Sequence, residues 1–588
     1  MATRYLAIVS ATADEWALVP KALEALTGLT ASHVSSSLTV FVEYDRDIIK
    51  MEGTDGLAIG TVFSREDRPK RISKFGAAQT ARLVRSSGRA LMKEYWGGYV
   101  AFVPSEDGNI SIIRDPSAQA ACYYLFKHPF WVFASDVEAL ISSGFFEPIV
   151  DWRALAHQLR SAGIKSTRTA LTGLFELLPG FALSLQSDKS ESHPYWSPWD
   201  HVGKRMNRKA GEIRAELKDT ISGAIGAWAG QYANILLGIS GGLDSSVVAA
   251  ALAARHSSVT FMTMATRTPD GDERVYARVL AHSLGIPLIE KIYEPSEVDF
   301  LRGVSLHLPR PMGGAMSQVS TQVVKGVLPD GRDSAYFTGR GGDNVFCYSQ
   351  SATPLLDRIY TEGLTPAVLT TIRDICDLSG ASVWDVVAMA LRRHRARSNA
   401  YSWRRNNRFL TEATATTPLF DHPWLDLPDS GLPGKAVHIA MLLRIIDNLE
   451  PSARNLTVDE ITPLVSQPIV EAALAIPTWE WLRGGRNRSP VRDAYSDDLP
   501  REILYRKGKA GPDTFATDLL AANMTAVREH LLDGCLCYEG LVDRTALELS
   551  LGEFFHSKTN DAPRLLQLAE AESWARHWTR KVPVRKSA

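Results

Sequence analysis

Hydrophobic and polar positions follow different patterns in the two parts of the chain. Up to about residue 200, short apolar runs rich in β-branched and aromatic residues are bounded by Gly, Pro, Asp or Ser, which predicts strands. These runs are YLAIVS, SLTVFVEY, LAIGTVFS, GGYVAFVP, NISIIRD, CYYLFK, FWVFAS and FALSLQ. The stretches AAQTARLVRSSGRALMKEYW and DWRALAHQLRSAG between them have helical spacing. The first part is therefore predicted to be an α+β domain.

The pattern changes near residue 205, after the polar, Trp-containing stretch SDKSESHPYWSPWDHVGKRMNRK. The following segments alternate between helix and strand: GEIRAELKDTISGAIGAWA, ANILLGI, SSVVAAALAARH, VTFMTMAT and DERVYARVLAHSLG. Strands that alternate with helices predict a parallel, doubly wound sheet. Beyond about residue 350 the pattern is mostly helical, and the basic tail RHWTRKVPVRKSA is predicted to be frayed. We predict two domains, 1–205 and 206–588, of which the second is α/β with a largely helical C-terminal part.

Composition and charge narrow the class of protein. The 588 residues include 65 Lys+Arg and 66 Asp+Glu, a formal net charge of −1, which argues against coating of nucleic acid or an anionic membrane through bulk charge. Five scattered cysteines without a C-x-x-C pair indicate neither a disulfide framework nor a zinc site. The sequence also lacks a signal peptide and an apolar stretch approaching about 18 residues. We expect a soluble, cytoplasmic enzyme.

The loop after the first predicted parallel strand carries the most informative residues. In an open α/β sheet, ligands bind at the carboxyl ends of strands, where a Gly-containing turn and a helix N-terminus attract an anion. The hydroxyls of this loop suit phosphate oxygens, whereas Asp244 requires a positive partner such as Mg²⁺. The candidate phosphate-binding residues are Ser240, Gly241, Gly242, Asp244, Ser245 and Ser246.

Two other interpretations of this loop remain open at this point. Gly238 to Gly242 also satisfies G-x-S-x-G, the nucleophile elbow of α/β hydrolases, in which Ser240 would be the nucleophile. A purely structural tight turn would explain the glycines but not the Asp-Ser-Ser that follows them. The loop lacks the G-x-x-x-x-G-K-[ST] pattern, so a P-loop is not predicted.

The motif S-G-G-L-D-S-S after a buried strand resembles the pyrophosphate-binding signature of the ATP pyrophosphatases. Further segments resemble the asparagine synthetase branch of that group: FMTMATRTPDGDERVYARVLAHSLGIP, TGRGGDNVF, and the block from PLVSQPIVEAALAIP to ILYRKGKAGP. The resemblance implies an ATP-dependent ligase that activates a carboxylate as an acyl-adenylate. The cofactors it implies are ATP and Mg²⁺.

The resemblance also implies roles for individual residues. Asp244 and Asp343, on two separate Gly-flanked loops, would hold Mg²⁺, and Lys509 would stabilise the transition states of adenylation and amide formation. Lys507 remains the competitor of Lys509. The backbone at the strand ends would hold adenine. These adenine-binding residues are Ile239, Met264 and Gly339.

The amino-terminal half resembles the class II glutamine amidotransferase domain, an Ntn-hydrolase-like αββα fold, through RDPSAQAACYY, FASDVEALI and LLPGFALSL. In that family the nucleophile is the cysteine exposed after removal of Met1, and here that residue is Ala2. Cys122 lies inside a strand-like run and is expected to pack as a small hydrophobe. We expect a scaffold without glutaminase activity.

Without ammonia from glutamine, the attacking amine is expected to belong to the substrate. Among the family's branches, the segments TGRGGDNVFC and PLVSQPIVE are most similar in sequence to the lasso peptide macrolactam synthetases. Arg340 stands where the β-lactam synthetases carry a tyrosine of their base dyad. The resemblance implies AMP-forming closure of a precursor peptide, through its Asp or Glu side chain, with a leader peptidase and a leader-recognition protein as partners. Three alternatives remain: another glutamine-independent amide ligase, a non-catalytic nucleotide-binding scaffold, and an esterase of the α/β hydrolase type with Ser240 as nucleophile.

The stretch from Arg392 to Arg408 contains seven arginines and no acid. Tyr401 and Trp403 within it are compatible with nucleic-acid binding, but nothing else in the chain supports such a partner. A solvated helix end or a surface for an acidic partner is preferred, and no catalytic role is assigned.

Overall fold

A computed structural model describes most of the chain. The described residues are 3–10, 19–107, 109–186, 188–203, 209–256, 258–265, 272–292, 294–299, 301–314, 317–396, 401–420, 422–429, 431–449, 458–506, 512–552 and 561–580.

The strands are numbered in chain order. Their bounds are β1 Tyr5–Ser10, β2 Thr30–Val34, β3 Leu38–Val42, β4 Ile48–Met51, β5 Leu57–Ser64, β6 Lys74–Phe75, β7 Tyr95–Pro104, β8 Ile110–Arg114, β9 Tyr123–Lys127, β10 Phe130–Ala134, β11 Phe175–Glu176, β12 Phe181–Gln186, β13 Lys189–Pro194, β14 Asn234–Gly238, β15 Val259–Ala265, β16 Leu288–Ile292, β17 Ser334–Thr338 and β18 Asp459–Ile461.

The α-helices are numbered in the same way. Their bounds are α1 Val19–Thr27, α2 Ala77–Arg85, α3 Arg89–Glu94, α4 Val137–Ser142, α5 Trp152–Arg160, α6 Ala210–Ala229, α7 Leu243–Ala253, α8 Arg274–Leu284, α9 Ser317–Val327, α10 Gly342–Val345, α11 Thr353–Glu362, α12 Ala367–Ser379, α13 Val383–Arg395, α14 Glu412–Thr416, α15 Pro433–Ile446, α16 Gln467–Ala475, α17 Ser489–Ala494, α18 Arg501–Leu504, α19 Pro512–Ala522, α20 Met524–Leu532, α21 Cys535–Tyr538, α22 Arg544–Gly552 and α23 Ala562–Arg580.

Two sheets form the amino-terminal domain. Within the described residues, one has the order β11-β9-β10-β1-β3-β2 and the other the order β13-β12-β8-β7-β5-β4-β6. Successive side chains of a strand point to opposite faces. In β1, accordingly, Tyr5 and Ala7 share a hydrophobic core with the second sheet, whereas Leu6 and Ile8 share a different core with α4 and α5. This layered α+β arrangement confirms the predicted fold of the first domain.

The second domain is built on a parallel sheet. In the described part of the chain its strand order is β16-β15-β14-β17-β18, and every neighbouring pair is parallel. The chain runs outward from β14 in one direction to β16 and then resumes on the other side at β17. Ligands of open α/β sheets bind at such a reversal of strand order, beyond the carboxyl ends. The loops after β14 and β17 therefore lie where the fold class places a site.

The hydrophobic cores extend across the predicted domain boundary. Trp228 of α6 packs edge-on against Phe63 of β5, with ring centroids 5.0 Å apart. At the other end, α23 contributes Trp574 and Trp578 to the same core as Leu6 of β1. The prediction of a frayed tail is thus wrong as far as Arg580, because both tryptophans are fully buried; residues 581–588 lie outside the described part.

A buried ionic cluster also joins the two domains. Glu176 accepts hydrogen bonds from Arg114 at 2.7 Å and from Arg310, and Lys165 lies 3.4 Å away. Burial alone would raise the pKa of Glu176, but the three cations reverse this effect and lower it. Burial raises the pKa of Asp447, which accepts a bond from the Lys165 backbone, to about 7. Because both domains supply partners, separating them would leave buried charges uncompensated.

None of the described helices combines the length and the apolarity needed to cross a membrane.

Candidate active site

The loop after β14 has a geometry that requires glycine and leaves a helix N-terminus uncapped. Gly241 has φ +60°, and a Cβ there would lie 2.3 Å from Cβ of Tyr276. Gly242 is the N-cap of α7 and offers no side chain to the first N–H groups of the helix. These N–H groups and the helix dipole are suited to an anion.

The three predicted serines of this loop have different surroundings. Ser245 Oγ accepts a bond from the Ser240 N–H at 3.3 Å, and Ser246 Oγ donates to the Gly242 carbonyl at 2.8 Å. Ser246 is fully buried, whereas Ser240 is partly exposed. Ser245 and Ser246 thus brace the turn, and Ser240 is the only one of these three serines that is partly exposed.

The second Gly-rich loop, after β17, is pressed against the first. A Cβ on Gly339 would lie 2.6 Å from the Ser245 backbone nitrogen, and one on Gly342 would lie 2.3 Å from Cγ of Asp244. Both approaches are too close for any side chain. The two glycines therefore let the loops of neighbouring strands meet, which brings Asp244 and Asp343 together.

Arg488 lies between these two carboxylates. Its Nη1 donates to Asp244 Oδ1 at 2.7 Å and also to Asp343 Oδ1. Its side chain is 9% exposed, with Asp244 at 10% and Asp343 at 36%. The residue adopts a left-handed backbone (φ 56°) as the N-cap of α17, and its guanidinium stacks on Tyr348. The sequence patterns did not point to this residue.

The converging carboxylates fit a divalent cation that completes its shell with phosphate oxygens. Two oxygens bonded to one nitrogen lie within about 6 Å of each other, given ordinary hydrogen-bond lengths. Among the described residues no cluster of three or more His, Cys, Asp or Glu could hold a metal without further ligands. Mg²⁺ is usually held by one or two carboxylates together with substrate phosphates. Asp244 and Asp343 meet that requirement.

Further cations surround the loop. Arg506 donates to the Ser240 carbonyl at 3.2 Å and to Glu273 at 2.6 Å, and it stacks on Tyr276. Burial and the neighbouring Arg488 lower the pKa of Arg492 to about 10. The predicted catalytic lysine, Lys509, and its competitor Lys507 lie outside the described residues.

The predicted adenine-binding residues end three adjacent strands. Ile239 follows β14 and its N–H donates to the Met262 carbonyl at 2.8 Å; Met264 lies at the end of β15, and Gly339 follows β17. The side chain of Ile239 is buried in the core, which leaves its backbone as the available part. The structure thus brings all three to the edge of the sheet that carries the loop after β14.

The hydrolase interpretation requires a base beside Ser240. In the described part of the chain, its hydroxyl accepts a hydrogen bond from the Gly242 N–H, at 3.4 Å, and no histidine bonds to it. A serine nucleophile needs an imidazole or equivalent base within hydrogen-bond reach. The arrangement therefore favours phosphate binding.

Comparison with known families agrees with this geometry. The sequence model of the asparagine synthase family matches residues 217–576, more than half of the chain, and the match includes both Gly-rich loops and Arg488. The chain belongs to the asparagine synthase family. As a member, it is an ATP-dependent amide ligase. A glutamine amidotransferase domain model matches residues 79–196, in the layered amino-terminal domain.

Solved structures similar to this family member include two enzymes at 11% sequence identity. One is the allosteric regulatory enzyme of purine biosynthesis; the match covers 51% of this chain and 76% of that one, with a TM-score of 0.21. The other is glutamine phosphoribosylpyrophosphate amidotransferase from B. subtilis complexed with ADP and GMP, with 58% and 77% covered and a TM-score of 0.21. No curated protein matched the chain.

A partly open cavity of about 150 Å³ lies between the amidotransferase-like domain and the asparagine synthase domain. Its lining includes Thr3 and Arg4 from the amino-terminal domain and Asp459 and Thr462 from the β18 region, and none of the described lining residues is a cysteine. The nearby Cys122 is fully buried, and burial raises the pKa of its thiol to about 12. Cys122 is therefore a packed thiol and not a nucleophile.

Proposed function

We propose that this asparagine synthase family ligase closes a macrolactam in a lasso precursor peptide. It adenylates an Asp or Glu side chain, and the peptide's own N-terminal amine then displaces AMP. The observation that supports the proposal is that none of the described residues lining the interdomain cavity is a cysteine. The position of the family's nucleophile, Ala2 in this chain, lies outside the described residues. An enzyme that does not release ammonia from glutamine takes its amine from the substrate or from free ammonia, and we propose the substrate's own amine.

The proposed reaction has two steps, adenylation of the carboxylate and attack by the amine. First, a carboxylate oxygen forms a bond to the α-phosphorus of ATP and the bond to the β-phosphate breaks, releasing pyrophosphate. Second, the amine nitrogen bonds to the acyl carbon, the bond to AMP breaks, and the amine gives up a proton. Each step moves negative charge onto phosphate, where fixed cations and N–H groups stabilise it best.

The residues of the site have distinct roles in these steps. The N–H groups at the uncapped start of α7 bind the departing phosphates. Arg488 and Arg506 supply cationic charge at the rim of that loop. Asp244 and Asp343 would hold Mg²⁺, which neutralises phosphate charge when bound. Lys509, from the family resemblance, is proposed to act during transfer.

Arg340 supports a peptide substrate over a β-lactam precursor. Its guanidinium donates to the Asn448 carbonyl at 2.8 Å and to Glu460 at 3.4 Å. A permanently charged group held in this way does not accept a proton. The tyrosine-based proton acceptor expected of β-lactam synthetases is therefore missing at this position. A leader peptidase and a leader-recognition protein are proposed as partners.

A reaction with synthetic peptides tests the substrate and the products. The enzyme is incubated with ATP, Mg²⁺ and a leaderless peptide that has a free N-terminus and an internal Asp or Glu. We expect AMP and pyrophosphate in equal amounts with each ring formed, and mass spectrometry should show the loss of one water.

The matched control is the same peptide with an acetylated N-terminus, which should undergo no ring closure because it lacks the amine. Formation of ADP would contradict the adenylate mechanism. Turnover of free aspartate with ammonia, and of none of the lasso-type peptides, would contradict the peptide substrate while leaving the amide ligase intact.

We also expect no glutaminase activity. Incubation with glutamine, with or without ATP, should release no glutamate above the background without enzyme, because the described part of the cavity offers no thiolate. A coupled glutamate assay measures this directly. Glutamate release that continues when Cys122 is replaced by Ser would show that another nucleophile exists, and release abolished by that change would show that Cys122 is reactive; either result would refute the proposal of an inert domain.

A further inference from the structure

Helix α13 presents an apolar and basic face that the described chain leaves uncovered. Its inner side packs Val386 and Ala390 into a core with α11 and α12. On the opposite side, Trp384 is 81% exposed and Leu391 is 48% exposed. Isolated exposed leucines are ordinary, but an exposed tryptophan is not, because burying its large ring contributes strongly to binding.

The exposed side chains form one stripe. Positions three, four and seven apart lie on the same face of a helix, so Trp384, Ala388, Leu391 and Arg395 align along about 17 Å of α13. Arg392 flanks the stripe in the last turn. We call these five residues the α13 surface. All five are exposed.

The charge of this surface is concentrated at one end. The last turn of α13 carries Arg392, Arg393 and Arg395, and none of the three forms a salt bridge with a described residue. His394, in contrast, is bonded to the Tyr360 hydroxyl at 2.7 Å and belongs to the inner side. The cations also meet the carbonyl end of the helix dipole, which stabilises them.

We propose that the α13 surface docks an acidic, amphipathic segment of a partner protein. The apolar half of the surface, Trp384 and Leu391, would receive a row of aliphatic side chains. The arginine end would receive carboxylates, which arginine binds in bidentate fashion. The surface draws none of its residues from the loops of β14 and β17, so the proposal does not depend on the substrate proposed above.

The distribution of charge favours this occupant over nucleic acid or a membrane. A protein that binds nucleic acid places cations along the whole length of the phosphate backbone. In α13 the arginines lie at one end only, and the other end carries the acidic Asp385, which forms a capping box with Ser382. An interfacial helix inserts a broad apolar face bordered by cations on both sides. The other apolar face of α13 is buried in the core with α11 and α12, so the exposed stripe is too narrow for such an insertion.

A labelled peptide tests the proposal on the full-length chain. The probe is a synthetic helix of about five turns, with leucines at i, i+3, i+4 and i+7 and glutamates clustered at one end. Fluorescence anisotropy should show saturable binding at micromolar concentrations that weakens as salt is added. Trp384→Ala should weaken binding at least about tenfold. The double variant Arg392→Glu/Arg395→Glu should abolish binding and instead bind a probe in which lysines replace the glutamates.

Two variants on α12 serve as matched controls. Leu369→Ala removes an apolar side chain that is 69% exposed, and Arg373→Glu reverses a side chain that is 82% exposed; both should bind the acidic probe like the parent. Thermal melting shows whether each variant is folded.

Several results would overturn the proposal. They are equal binding of the acidic and the basic probe, no saturable binding of the acidic probe up to about millimolar concentration, and an unchanged affinity in Trp384→Ala. Stronger binding of a single-stranded oligonucleotide or of phosphatidylserine vesicles would identify the occupant as nucleic acid or lipid. A dimer in sedimentation that Trp384→Ala dissociates would identify it as a second copy of this chain.

Discussion

Asp244→Asn is expected to lower the rate of amide formation by at least about a thousandfold, the effect of several kcal/mol of lost transition-state stabilisation. The carboxylate bonds to Arg488 and lies against Gly342, so its charge is held where the two strand-end loops meet. Asparagine keeps the shape of the side chain but removes the negative charge that a cation requires. Asp343→Asn should act in the same direction. The measurement is release of pyrophosphate in the presence of ATP, Mg²⁺ and the peptide.

The control for Asp244→Asn is Asp497→Asn, which removes a carboxylate that is 76% exposed and paired with Arg214 on the surface. It should react at the parental rate. Circular dichroism and thermal melting should show that all three variants are folded. Parental turnover by Asp244→Asn would exclude the Asp244 carboxylate as an essential part of the site. Parental turnover by Asp343→Asn would exclude the Asp343 carboxylate in the same way.

Local patterns predicted most of the elements that build this site. The apolar run ANILLGI became β14, VTFMTMAT became β15, and the segments with helical spacing became α6, α7 and α8. Each signal is contained in one short window, because the side chains that bury a strand or a helix face repeat at a fixed period. The glycines of both loops were also visible in sequence, since only a residue without Cβ permits a left-handed turn or a close approach.

Other features depend on contacts that no local pattern contains. The strand β13, KSESHP, is almost entirely exposed, and in the described part of the chain it pairs only with β12. It therefore has no alternation of apolar residues that would predict a strand. The end of α23 has the composition of a basic tail, yet Trp578 packs in the core of the first domain. Arg488 follows a Gly- and Arg-rich turn, and its link to Asp244 spans 244 residues of chain.

Arg488 yields the last prediction, a coupling between protein stability and divalent cations. Arg488→Ala should destabilise the nucleotide-free enzyme by about 2 kcal/mol, below the usual cost of breaking a fully buried pair, since Asp343 remains partly exposed. Two carboxylates held close together by the loop glycines would then repel each other. Mg²⁺ added without nucleotide should therefore raise the melting temperature of the variant more than that of the parent, whose guanidinium already supplies the positive charge.

The reciprocal effect distinguishes this role of Arg488 from a loss of packing alone. If the guanidinium and the cation compete for the same two carboxylates, Mg²⁺ should bind the nucleotide-free Arg488→Ala variant more tightly than the parent in calorimetry. Arg483→Ala is the matched control, because that arginine lies on the same segment but pairs with Asp493 and Glu480 instead. It should leave the Mg²⁺ response unchanged. A variant at Arg488 that melts lower but responds to Mg²⁺ like the parent would show that the arginine only fills space between the loops.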